Sequence, residues 1–105
     1  MSMSVIAVSV VDKVQADGAQ TLDLPEGGFT NQINISGTAT SGTIAFDYYA
    51  FGEWKTLLKN GAALVVDMAS NTKSFLVYGC LDKIRATPTS IAGGTYSVQI
   101  ISEVL

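Results

Sequence analysis

The sequence contains no histidine, and its one cysteine, Cys80, stands alone. Lacking histidine, the chain has neither the commonest general base nor the commonest metal ligand. A single thiol excludes an internal disulfide framework and any multi-cysteine zinc site. Between Gly79 and Leu81, Cys80 reads as a small buried apolar residue. Charge is scarce as well: Asp, Glu, Lys and Arg make up 14% of the 105 residues, against about 25% in ordinary soluble domains. The formal net charge is −3, from six basic and nine acidic residues, which is not the footprint of a nucleic-acid binder. Long apolar runs are missing too. Residues 5–11 form a short one that contains Ser9 and ends at Asp12-Lys13, far below the roughly 20 residues of a membrane span. No basic segment precedes it, so we expect a protein made and assembled in a cytoplasm, with neither export nor membrane attachment.

What is present is apolar and neutral. Hydrophobic residues make up 48% of the chain, while a domain of this size buries only about two-thirds of the surface its unfolded chain exposes. Some apolar area must therefore reach the exterior, where few charges interrupt it. Ser, Thr, Asn, Gln and Gly fill the remainder, and neutral groups repel a neighbouring copy weakly. Such a surface is expected to be covered by another macromolecule, and self-association is the simplest form of that. An ordinary small β domain with a Thr/Ser-rich exterior would carry the same composition.

The hydrophobic period is two almost throughout. Ile33, Ile35 and Ala39 alternate with Asn34, Ser36 and Thr38, which predicts a half-buried strand. Residues 43–51 follow, with Ile44, Phe46 and Tyr48 on one side and Asp47 on the other. Tyr96, Val98 and Ile100 define a late strand, Ile6, Val8 and Val10 a first one, and Phe75 and Val77 another. Asn60-Gly61 predicts a tight hairpin, because both residues tolerate positive φ. Asp17-Gly18, Glu26-Gly27-Gly28, Ser41-Gly42 and Gly93-Gly94 predict further turns, and Pro88 is expected to close a strand over residues 81–87. The expected fold is one all-β domain over residues 1–105, a two-sheet antiparallel sandwich of about eight strands, with residues 1–5 as an extended arm. Jelly-roll and immunoglobulin-like orders share this signature.

No constellation selects a reaction. Asp47 and Glu53 flank the turn at Phe51-Gly52, a separation compatible with many geometries, and they read as solvated turn charges. Asp12, Asp17, Asp23 and Glu26 match no calcium loop. No catalytic residue, cofactor or metal ligand is therefore expected, and the chain reads as a non-enzyme. The densest feature is the aromatic group Tyr48, Tyr49, Phe51 and Trp54. Strand neighbours point to opposite faces, so Tyr48 and Tyr49 cannot both be core. Tyr48 and Trp54 read first as core, and Tyr49 with Phe51 as outward. Tyr49, Phe51 and Trp54 are the candidate residues for contact with a protein or a glycan. Lys83 and Arg85 share one solvent face, available to an acidic partner.

The second half of the chain runs Glu53-Trp54-Lys55-Thr56-Leu57, then Asp67, then Thr72-Lys73-Ser74-Phe75. Asp82-Lys83-Ile84-Arg85-Ala86-Thr87-Pro88 and Gly94-Thr95-Tyr96-Ser97-Val98 follow. Over residues 46–102 this order resembles small β-sandwich virion proteins of tailed bacteriophages: head decoration, neck or tail-associated proteins. The resemblance implies a non-enzymatic virion component whose partners are other virion proteins and further copies of itself, in a particle assembled in the host cytoplasm. A carbohydrate-binding module of a host-recognition appendage, using the same aromatic side chains, is the alternative from another class.

Overall fold

Period-two patterning becomes strand pairing in a computed structural model that describes residues 4–24, 28–71, 73–79 and 81–104. Met1–Met3 of the expected arm, the turn at Glu26-Gly27, Thr72 and Cys80 lie outside those residues. Ser4 and Val5 already belong to the first strand, opposite Val104 and Glu103.

Among the described residues eleven strand segments follow one another. They are β1 (Ser4–Lys13), β2 (Gln20–Asp23), β3 (Gly28–Ser36), β4 (Ser41–Ala50), β5 (Glu53–Thr56), β6 (Leu58–Lys59), β7 (Ala62–Ala63), β8 (Val65–Asp67), β9 (Ser74–Tyr78), β10 (Lys83–Ala92) and β11 (Tyr96–Val104). One sheet has the order β1-β11-β3-β9, and the other β2-β10-β4-β5 with β8 also on β4. The pairs β4 with β5 and β8, β3 with β9, β2 with β10, and β1 with β11 are nested antiparallel pairs. The chain is thus one long antiparallel ribbon folded over at β4–β5. Wrapping that ribbon creates two new pairings, β11 with β3 and β10 with β4. This order is a jelly roll, which resolves the two expected topologies. Counting β5 and β8 as one interrupted strand and setting β6–β7 apart, the ribbon has the expected eight strands.

The two inner faces supply the core. Ile33, Ile35, Val98 and Ile100 meet Ile44, Phe46, Ile84 and Val66, all buried, each contributing roughly 1.5–3 kcal/mol by leaving water. Two polar side chains are sealed among them. Asn31 donates to the carbonyls of Val77 (3.3 Å) and Gly79 (3.2 Å), and Ser102 Oγ donates to Asn31 Oδ1 at 2.6 Å. This cluster ties the end of β9 to β3 and β11. Tyr96 is fully buried, and burial raises its phenol above the ordinary value of 10.0, with the charge of Asp17 adding to the effect.

Three local expectations are corrected. Pro88 does not close a strand; it lies inside β10, opposite Ile44. Its carbonyl accepts from Gln15 Nε2 at 3.2 Å, so its nitrogen faces the same way, beyond the end of β2, where no ladder donor is needed. Gln15 Oε1 in turn accepts from Ile91 N at 3.2 Å, and one side-chain amide replaces the missing strand. Ser41-Gly42 is not a turn but the start of β4. Gly42 takes φ +103 beside the bulge of β10, where a Cβ would stand 2.7 Å from Ile91 Cα; close approach, not chain reversal, requires the glycine. Trp54, expected in the core, is only half-buried.

The Asn60-Gly61 hairpin forms as expected, with φ of +54 and +82. Its base does something the sequence does not announce. Leu57 N donates to Phe46 O (3.1 Å), Phe46 N donates to Leu64 O (3.3 Å), and Leu64 N donates to Leu57 O (2.8 Å). Thr56 pairs with Asp47 and Val65 with Ala45. The N–H of Leu57 and the C=O of Leu64 therefore act as the two groups of a single residue opposite Phe46. Residues 58–64 are an insertion into an otherwise continuous strand, projecting as a finger. Its Lys59 Nζ reaches the other sheet and donates to Leu76 O at 3.0 Å. Deleting residues 58–64 is expected to leave the β fold intact by circular dichroism. The cost in chemical denaturation is about 2–5 kcal/mol, for the loss of buried Leu64; complete unfolding would contradict the insertion reading.

Candidate functional site

The ribbon folds over at a two-residue hairpin between Ala50 and Glu53, and this apex carries the aromatic group. Phe51 and Gly52 have φ of +53 and +80, the pattern of a tight hairpin turn normally built from Asn-Gly. A bulky side chain in this region is strained by roughly 1–2 kcal/mol. Phe51 is also 99% exposed. Local preference and the hydrophobic effect both disfavour phenylalanine here.

Behind the tip, Tyr49 pairs with Trp54 across β4 and β5, their rings edge to face at 5.3 Å and 71°. Tyr48 faces inward and packs on the core, as expected. Trp54 does not: it shares the outer face with Tyr49 and is half-buried there. Parity explains the correction. Leu57, Leu64 and Val66 fill the core along this edge, so Trp54, directly opposite outward Tyr49, must also face out.

Cations occupy the rings. Lys83 Nζ stands 5.5 Å from the Tyr49 centroid, and the Arg85 guanidinium 4.4 Å from that of Trp54. Arg85 Nη2 also donates to Asp47 Oδ2 at 3.1 Å. The solvent face expected for Lys83 and Arg85 is therefore real, but Arg85 already has its acidic partner within the chain. The signal for this cluster was Trp54 and Arg85 on strands flanking β4, visible only once the pairing is known. Glu53 instead pairs with Lys55 at 3.0 Å, and this hydrogen bond and the charge of Glu53 raise the ammonium pKa. Asp47 and Glu53 are thus committed to separate basic partners. Asp17 Oδ2 accepts from Val14 N at 2.9 Å, an ordinary loop role, and among the described residues no acidic group is arranged to hold a metal.

A second surface lies on the outer face of the β1-β11-β3-β9 sheet. Its rows run Ser9, Gln99, Asn34, Ser74 and then Ala7, Ile101, Gln32, Leu76. Gln32 donates to Asn34 Oδ1 and Ser74 Oγ, both at 3.2 Å, Ser74 Oγ donates to Asn34 Oδ1 at 2.7 Å, and Asn34 Nδ2 donates to Gln99 Oε1 at 3.4 Å. A shallow groove of about 490 Å³ crosses this face beside Ser9, Asn34, Ser97 and Gln99. Glu103 is the ionised side chain among the described residues of these rows and the next. This face is uncharged apart from Glu103, but it is built mainly from amides and hydroxyls, whereas the composition implies an apolar flank.

Fold and site together define a small jelly-roll sandwich that displays a strained aromatic hairpin at one end and a neutral sheet face along one side. No protein-family model matches the chain, and no curated protein does. Among solved structures it is similar to the crystal structure of the SPBc2 prophage-derived protein YomS. The TM-score is 0.71 with 14% identity, covering 98% of this chain and 96% of that one. That likeness shows a shared fold over the whole length. Among the described residues no helix is long and apolar enough to cross a membrane.

Replacing Phe51 by Asn suits the turn geometry and is expected to stabilise the fold by about 0.5–1 kcal/mol in urea titration. A loss of stability would show that Phe51 serves the fold and not a contact.

Proposed function

We propose that the chain is a non-enzymatic structural protein of a bacteriophage particle, a capsid decoration or a neck or tail component, acting by protein–protein contact and self-association. The observation that carries this reading is Phe51: fully exposed, in a strained turn, at the tip of a hairpin whose aromatic pair and arginine are the residue types that dominate interface energetics. Tyr49 and Trp54, braced by Lys83, Arg85 and Asp47, hold the hairpin rigid, so docking it orders little further chain. The likeness of fold to a prophage-derived protein and the second-half resemblance to virion proteins supply the biological setting.

We rank a glycan-binding module second. A sugar needs an open ring face, and one face of Trp54 is already occupied by Arg85. The test is incorporation. Particles purified from cells expressing the unaltered chain should contain it, and those from cells expressing Phe51→Asn, folded by circular dichroism, should have lost most of it. Equal incorporation of Phe51→Asn would overturn the hairpin as the contact. Absence of the unaltered chain from particles, or saccharide-dependent quenching of Trp54 fluorescence, would overturn the function.

A further inference from the structure

The two sheets have four open edges, and three of them are guarded. Strand β9 is five residues long, and its Leu76 carbonyl is taken by Lys59 Nζ. Strand β2 is four residues long and ends at Asp23. The β5–β8 edge carries the Lys55–Glu53 ion pair and Asp67, and is broken by the inserted finger. Short length, lysine, charge and interruption are the devices that keep sheet edges from pairing with other chains.

The fourth edge is guarded only at its C-terminal end, by Asp12, Lys13 and a bulge. Strand β1 runs ten residues at the margin of its sheet, and from Ser4 to Val11 it contains no charge, proline or glycine. Its pairing is stopped only at a bulge between Val10 and Lys13, where Asp12 takes φ +53. Half of its backbone donors and acceptors point away from β11. A second observation comes from its core face. Ile6 lies on the same side as buried Val10, yet is 41% exposed.

We propose that β1 pairs antiparallel with β1 of a second copy across a two-fold axis, joining two four-stranded sheets into one of eight. This deepens the self-association in the proposed function and rests on that part of it alone. A two-fold interface must be complementary to itself, and residues directly opposite each other must share a face. Centring the axis on Val8 pairs residues 5–11 with the same seven residues of the second copy, all uncharged, and leaves Ser4 opposite Asp12. Ala7 then meets Ser9 of the second copy on the outer face, and Ile6 meets Val10 on the core face, removing Ile6 from water. No like charges oppose one another. The neutral outer face continues unbroken across the join.

Light scattering with size exclusion should give a mass of twice 11.0 kDa at high concentration, and hydrogen exchange of β1 amides should slow as concentration rises. Ala7→Lys/Ser9→Lys, at two exposed positions, sets like charges opposite each other and should raise the dimer dissociation constant at least about tenfold. Ala7→Lys/Ser9→Glu sets opposite charges together and should restore the dimer. A mass of 11.0 kDa at every concentration, concentration-independent β1 exchange, a dimer indifferent to the paired lysines, or equal loss in both double variants would each overturn the proposal. Failure here leaves particle incorporation through Phe51 standing, and the reverse also holds.

Discussion

The molecule depends on one closure: an antiparallel ribbon that wraps until β11 slots between β1 and β3, and β10 between β2 and β4. Before that closure each half of the ribbon has an apolar face open to water. Afterwards Ile33, Ile44, Phe46, Ile84, Val98 and Ile100 are buried together. These contacts link residues distant in the chain, so loop-closure entropy opposes them until the two sheets meet. The buried Asn31–Ser102 pair acts at the same place. It ties β9, β3 and β11 in one register, since any slip would strand two polar groups in the core.

The closure also sorts the surfaces. The apex of the ribbon must project, and there the chain sets Phe51 in a conformation that asparagine would hold more cheaply. The two ends of the ribbon meet as β1 and β11, and β1 is left as a margin. Lys83, Arg85 and Asp47 lie instead on the outer face of the other sheet, where they brace the aromatic pair. A chain with 14% charged residues has too few to spread evenly. Most of the others lie in turns, loops and at strand ends, which leaves the outer face of the β1-β11-β3-β9 sheet with Glu103 as its charge among the described rows.

Much of this was legible from alternation alone. The inward sets of β3, β4 and β11 follow from period two because each strand has one buried and one wet face, and Asn60-Gly61 announces its own turn. What failed to read depends on distant neighbours. Pro88 is tolerated only because β2 ends before reaching it, and Gly42 is required by a bulge some fifty residues away in the chain. Trp54 reads as core from the sequence, but cross-strand parity with Tyr49 decides its face. Asn31 shares the parity of Ile33 and Ile35, a cue to a buried polar group, although its partners Val77, Gly79 and Ser102 are not local. The finger was legible as a hairpin and not as an insertion, since only the bonds to Phe46 reveal the split.

Native-state hydrogen exchange tests the closure most directly. The slowest amides are expected in β3, β4, β10 and β11, all exchanging with one common opening free energy equal to that of global unfolding. Separate opening free energies for the two sheets, or slowest exchange in the β4–β5 hairpin alone, would contradict it.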